Sequence, residues 1–396
     1  MPESSEQTIK LVFNPSLKVA GEVISGEVQL HFPGLMRDKV VEVHVKLRGS
    51  VFTRITRQIG QNTYVRHDRV YLAHEEVSLW KQGDGVYPPP DSDTLKLPFT
   101  FTLPENLLPS CQYGGGGRMG TVGYFIQVVG KRPGVLRIND RQGSPFPVIQ
   151  SLSAGAQMRE ALRQGWQGRW KTITDEKEIR RGLWGDYSRV KFTLVLPDVI
   201  NVLPVLTPIP FTLTIVTHSK PTTKEDKPPE ETIFPAPPLK PHEIDFRIER
   251  NVYIRTGSWD SYSEGGFIAY LGGMGPKSSS ASQSAVQVEP MEKVWIPLNG
   301  DEKKQKGCWK QEVTFKSTFQ LSCPPAFDAN TMKVFYIMRL KVDFPGIGNS
   351  VKTDFPVRVV SCMYPPGQRG WDGPPPEMDL PPDYFQATTW DNDEKD

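Results

Sequence analysis

The residues whose types and spacing best suit a chemical task are Pro381, Pro382, Asp383 and Tyr384, a P-P-x-Y run near the C-terminal end. A polyproline II helix turns once every three residues, so Pro381 and Tyr384 fall on one side and can enter adjacent slots of an aromatic-lined groove. The proline pair is already stiff, which lowers the entropy lost when the segment is held. WW domains offer such a groove. With 37 prolines and 12 tyrosines in 396 residues, the pattern arises by chance about 0.1 times per chain of this composition. Its setting adds weight. From Met363 to Asp396 the chain is rich in proline, ends in acidic residues and shows no apolar alternation, the composition of an extended tail that a partner can reach.

Other candidate chemistry lacks its context. Gly115, Gly117 and Gly120 have G-x-G-x-x-G spacing, but a dinucleotide fingerprint needs a helix N-terminus after it. Here Thr121 to Val129 alternates as a strand, so the run reads as a flexible loop. The six histidines form no H-E-x-x-H, and Cys111, Cys308, Cys323 and Cys362 contain no C-x-x-C, so no metal or other cofactor is expected. No G-x-S-x-G elbow and no nucleophile with an evident base appears, so no catalytic residue is assigned and the chain reads as a non-enzyme. A net charge of +2 creates no global field toward nucleic acid. The start is polar and acidic, and no stretch nears the roughly 18 apolar residues of a membrane span. A reduced, cytoplasmic protein is expected.

The elements behind the motif are strands. Val41, Val43, Val45 and Leu47 alternate with Glu42, His44, Lys46 and Arg48, the sign of one buried and one wet face. Phe99, Phe101 and Leu103 repeat the pattern, as do Val122, Tyr124, Ile126 and Val128. Such strands need a second sheet over their apolar faces, so a β-sandwich follows. The chain divides into a sandwich over 1–150, a linker over 151–187, a second sandwich over 188–362 and the tail over 363–396. In the linker, Met158, Ala161 and Leu162 fall at helical spacing, and Arg180 to Trp184 reads as an irregular basic connector. The helix's Arg159 and Arg163 could meet anionic lipid head groups, or the helix could pack on the sandwiches. Two stretches of the second half, about 219–241 and 265–290, have the compositions of mobile loops.

The halves echo each other. Phe99-x-Phe101-x-Leu103, Tyr124-Phe125-Ile126 and Phe146-Pro147-Val148 return in order, at similar but unequal spacings, as Phe315 with Phe319-x-Leu321, Phe335-Tyr336-Ile337 and Phe355-Pro356-Val357. Two tandem sandwiches of one topology, or chance likeness among alternating strands, would give this. With the segment L-P-F-T-F-T-L-P-E-N-L-L-P-S, the later T-V-G-Y-F-I-Q-V and the P-P-x-Y tail, the chain resembles the arrestin family, in particular the fungal α-arrestins. The resemblance spans about residues 8–362 plus the tail. It implies an all-β fold of two tandem immunoglobulin-like sandwiches with a cargo-facing concave surface. It also implies an adaptor that brings a WW-domain HECT-type ubiquitin ligase to the cytosolic parts of membrane transporters or receptors, at the plasma membrane and endosomes, and so promotes their ubiquitination and endocytosis. Carried over by position, the ligase-docking residues are Leu380, Pro381, Pro382 and Tyr384. Many family members carry two P-P-x-Y copies and this chain has one, which forfeits avidity across tandem WW domains. The same fold also serves as a structural or sorting subunit of trafficking complexes, which would work without the tail motif.

Overall fold

The computed structural model describes residues 7–134, 139–182, 187–223, 233–298, 306–367 and 378. The first half holds β1 (Ile9–Phe13), β2 (Lys18–Val19), β3 (Val23–His31), α1 (Phe32–Asp38), β4 (Glu42–Ile59), β5 (Asn62–Lys81), β6 (Thr94–Thr102), β7 (Cys111–Gly115), β8 (Arg118–Lys131), β9 (Asp140–Phe146) and β10 (Val148–Ile149). A three-stranded sheet, β1-β3-β6, faces a five-stranded sheet in which β4 lies between β5 and β8, and β8 also pairs β7 and β9. The expected alternation sets this up: Val43, Val45 and Leu47 of β4 are fully buried with Val28, Leu30, Tyr124 and Ile126. Gly49 belongs to this face because the Tyr124 ring occupies the place a Cβ would take.

After α2 (Ser153–Arg163) come β11 (Trp170–Arg180), β12 (Tyr187–Pro197), β13 (Leu203–Pro204), β14 (Ile209–His218), β15 (Thr222–Thr223), β16 (Ile244–Thr256), β17 (Trp259–Tyr270) and α3 (Ser280–Ser284). Then follow β18 (Gln287–Pro290), β19 (Val294–Pro297), β20 (Lys306–Phe319), β21 (Phe327–Asp328), β22 (Met332–Asp343), β23 (Ser350–Val357) and β24 (Val359–Val360). The second sandwich repeats the five-stranded sheet of the first and sets it against a seven-stranded sheet, β11-β12-β14-β20-β15 with β18 and β19 also on β20. Hairpin β16–β17 stands where β4–β5 stands, β22 takes the place of β8 with β21 and β23 in the places of β7 and β9, and the parallel pair β13–β24 repeats β2–β10. Its core closes on Phe211, Phe246 and Phe319, with Phe211 and Phe246 edge-to-face at 5.2 Å.

The echo has the right order but not the right register. Tyr124 donates its hydroxyl to Leu108 O at 2.8 Å, and the residue that repeats this bond is Tyr336, to Pro324 O at 2.6 Å. Tyr124 lies opposite Phe146 while Tyr336 lies opposite Val357, so the second F-P-V sits two residues early. Apolar alternation with a period of two looks alike at shifts that strand pairing distinguishes.

Four expectations need correction. The linker reading fails at Trp170–Arg180, which pairs antiparallel with β12 along its whole length. It is an edge strand whose side chains are mostly exposed, so no apolar alternation marks it. The segment 265–290 continues β17, then buries Leu271 and Met274 and forms α3 and β18. Around 219–241, β15 pairs β20, and the carbonyls of Ile233 and Pro235 accept from the buried Gln311 amide at 3.1 Å each. The first residues assigned to the tail are held as well. Met363 is buried and its carbonyl accepts from Leu152 N at 2.8 Å, while Pro366 lies against Gly21.

Candidate functional site

The broad surfaces able to meet a partner are the outer faces of the two five-stranded sheets. On the first, β4 presents His44, Lys46 and Arg48, the face expected to be wet. All three are buried, at 7, 4 and 5% exposure. Burying charge demands opposite charge nearby, and β5 supplies Glu76. Its carboxylate lies 2.9 Å from His44 Nδ1 and 3.3 Å from Lys46 Nζ, while Glu42 lies 3.0 Å from His44 Nε2. His44 beside it holds the Glu42 carboxyl below its usual range. Beside this row stand Phe125 and Gln127 of β8, both buried.

The second face has a different chemistry. Glu249, nearly fully buried, lies 2.7 Å from Arg247 Nε and 3.0 Å from Arg339 Nη1, and Arg339 forks onto Asp354 at 2.8 and 3.1 Å. Burial pushes the Asp245 carboxyl up, against the pull of Arg247 beside it. Further along, Tyr262 stacks on Phe335 with ring centres 6.0 Å apart, and Phe267 packs edge-on against Tyr270; Tyr262, Phe335 and Phe267 are all exposed. Such rings offer area and geometry to an apolar or aromatic partner side chain.

Between the faces, the hairpin tips of the two sandwiches meet. Thr53 Oγ1 donates to Arg255 O at 3.0 Å, Arg57 to Asp260 O at 2.8 Å, and Arg66 to Ser258 Oγ at 2.8 Å. Asp68 accepts from Gly257 N at 2.7 Å, and Arg118 donates to Ser261 Oγ and Tyr262 O at 3.0 Å each. Deeper in, Arg250 lies 3.9 Å over the ring of Tyr113, and Gly120 leaves room for Ile254 and Met332. Burial raises Cys111 to about 12 and drives Tyr113 and Tyr336 upward, so these three side chains stay neutral beneath the Arg250 guanidinium.

Leu380, Pro381, Pro382 and Tyr384 lie outside the described residues. Of the two candidate lipid contacts, Arg163 is exposed in the last turn of α2, whereas Arg159 is corrected: it is 4% exposed and lies beside Cys362. Helical spacing could not tell the inner from the outer arginine, because what turns Arg159 inward is the chain returning after β24. Gly155 seals that contact, for a Cβ there would strike Ser361 O. The G-x-G-x-x-G run is a tight β7–β8 turn, with Gly115, Gly116 and Gly117 all at positive φ and Gly117 O accepting from Thr56 N at 2.6 Å. No group of three or more His, Cys, Asp or Glu among the described residues is placed to hold a metal ion. No helix of the described residues is long and apolar enough to cross a membrane. The interdomain tips were missed in the sequence. The arginines that flank the Gly60 turn and the Trp259 beside the Gly257-Ser258 turn were their only trace.

Comparison with known proteins places the first sandwich. Residues 9–154 match the family model of the arrestin (or S-antigen) N-terminal domain, a span from β1 to the first turn of α2. No curated protein matches the chain.

Proposed function

We propose that this chain, which opens with an arrestin N-terminal domain, is a non-enzymatic trafficking adaptor of the α-arrestin kind. In this reading the outer sheet faces receive a cytosolic segment of a membrane transporter or receptor. The residues Leu380, Pro381, Pro382 and Tyr384 dock a WW-domain HECT-type ubiquitin ligase, which then ubiquitinates the cargo. The adaptor works in the cytoplasm and is recruited to the plasma membrane and endosomes.

One observation carries the reading: a sandwich that matches the arrestin N-terminal domain is followed by a second with a matching five-stranded sheet, on a chain with a P-P-x-Y segment at 381–384. Two sandwiches joined at their hairpin tips carry two long sheet faces of contrasting chemistry, a buried basic row with its glutamates on one, and arginine–carboxylate pairs beside exposed aromatic rings on the other. That suits recognition of an extended polypeptide more than turnover of a small molecule.

The decisive experiment titrates the full chain against isolated WW domains by fluorescence anisotropy. Tyr384→Ala removes the ring that fills one slot of the groove, and at least a ten-fold loss of affinity is expected. Unchanged binding sinks the docking mechanism. A stoichiometric multiprotein complex that survives deletion of 363–396 would favour a sorting subunit instead.

A further inference from the structure

The tip of hairpin β16–β17 is a two-residue loop, Gly257-Ser258, between the paired residues Thr256 and Trp259. Gly257 has φ +56°, as a tight hairpin turn of this length requires. Three guanidinium groups gather on these few residues. Arg66 donates to Ser258 Oγ at 2.8 Å and lies 4.5 Å from the centre of the Trp259 ring. Arg57 lies 4.9 Å from the same ring and donates to Asp260 O. Arg255 donates from Nε to Gly257 O at 3.2 Å. No ion pair among the described residues engages any of the three. The nearby Asp68 carboxylate accepts from the Gly257 amide, and the three arginines outnumber Asp68 and Asp260 around one exposed hydroxyl.

We propose that Ser258 is a phosphorylation site and that its phosphate closes an arginine clasp between the two sandwiches. The stretch Arg255-Thr256-Gly257-Ser258 places an arginine three residues before the acceptor, the position that basophilic serine kinases read. The kinase transfers the γ-phosphoryl group of a nucleoside triphosphate. The Ser258 Oγ–P bond forms, the γ-phosphorus loses its bond to the bridging oxygen, the nucleoside diphosphate leaves with that electron pair, and the hydroxyl proton passes to a base. The product adds a charge of about −1.5 to −2 and three acceptor oxygens. Arg66 already points at Oγ, and Arg57 is held beside it by Trp259. Guanidinium groups suit phosphate because their donors match its oxygens in pairs. Arg57 and Arg66 belong to the first sandwich and Ser258 to the second, so the new bonds would hold the two outer faces in one relative orientation. This inference does not depend on the tail or on its ligase.

The test compares the full chain with and without phosphoserine incorporated genetically at 258, by hydrogen–deuterium exchange. Phosphoserine is expected to slow amide exchange about ten-fold at both hairpin tips, the effect of one to three new charge-assisted bonds. The double variant Arg57→Gln/Arg66→Gln should lose that slowing while exchange in the cores of β8 and β22 stays unchanged. A basophilic kinase with ATP should phosphorylate the full chain, and Ser258→Ala should remove that phosphate. Exchange unchanged or faster at the tips, or phosphate uptake indifferent to Ser258→Ala, overturns the proposal. So does equal slowing of the unmodified chain by inorganic phosphate, which would mark an anion site rather than a modification site.

Discussion

The two sandwiches match strand for strand in their five-stranded sheets, while their other sheets have three strands and seven, and even the matched outer faces have little in common. β4 carries a buried row of bases answered by Glu42 and Glu76, whereas β16 carries Glu249 between two arginines and stands beside exposed aromatic rings. The inner faces keep apolar residues within each core and part where β16 reaches the junction. Counting from the matched tyrosines, Val45 of β4 corresponds to Phe246 of β16, and Gly49 corresponds to Arg250. At the first pair both residues face the core. At the second, glycine makes room for Tyr124, whereas Arg250 turns to the junction and covers Tyr113. Inward positions are held to apolar residues by burial, so they preserve a shared architecture. Outward positions answer only to what covers them, and there the halves have diverged.

The largest way to break the comparison is through the cores. Phe246→Ala removes a fully buried ring and should cost about 3–5 kcal/mol, while Val45→Ala at the matching position should cost about 2 kcal/mol. Urea unfolding followed by probes in each half measures both. If either change lowers both halves together, the junction makes them one cooperative unit, and if not, each sandwich unfolds by itself.

A smaller effect is expected on the second outer face. Glu249→Gln leaves Arg247 and Arg339 without their shared carboxylate and should cost about 1.5–3 kcal/mol. The arginines keep partial access to solvent and keep Asp245 and Asp354, so the low end of that range is expected. Equal losses from Glu249→Gln and Glu76→Gln would mean that the two charged networks are energetically alike despite their different partners.

The tyrosine bonds sharpen the comparison further. Tyr124→Phe and Tyr336→Phe each strand a carbonyl, at Leu108 and at Pro324, and each should cost about 1 kcal/mol. Closely matched losses in thermal unfolding would support the equivalence of the two residues, whereas a null effect at one would break it.

The smallest effect is a pH dependence. The Arg37 side chain, then Thr8, hold the Asp38 carboxyl below its ordinary 3.8. A carboxyl with a lowered folded pKa adds stability above its unfolded value and loses it as pH falls through the folded one. Asp38→Asn should therefore lower the urea midpoint slightly near neutral pH, and the gap from wild type should close below about pH 4. A gap that persists into acid would point to lost packing instead of lost charge.

Much of the fold was legible because strands with one apolar face announce themselves. Val43, Val45 and Leu47 could be placed inward from spacing alone, and the repeated aromatic patterns announced two sandwiches in order. The edge strand β11 was not legible: it buries Ile179 alone, too little to write an alternation, so it passed for a linker. The fate of the polar face of β4 was also hidden. His44, Lys46 and Arg48 look like solvated residues in any single strand, and only β5 running alongside brings Glu76 to them. Arg159 and Arg163 are four apart on one helix, and only the returning chain at Ser361 separates the buried one from the exposed one.

The sequence by itself therefore determined the class of fold, the tandem order of its halves and the P-P-x-Y segment, because these rest on local periodicity and on residues adjacent in the chain. Only the tertiary structure decided the register between the halves, the covering of the charged row and the meeting of Arg66 with Ser258 and of Arg57 with Trp259. Each of these depends on residues far apart in the chain. The last joins tips about 190 positions apart, with Arg66 reaching Ser258 across |i−j| = 192, a separation that no local pattern can encode.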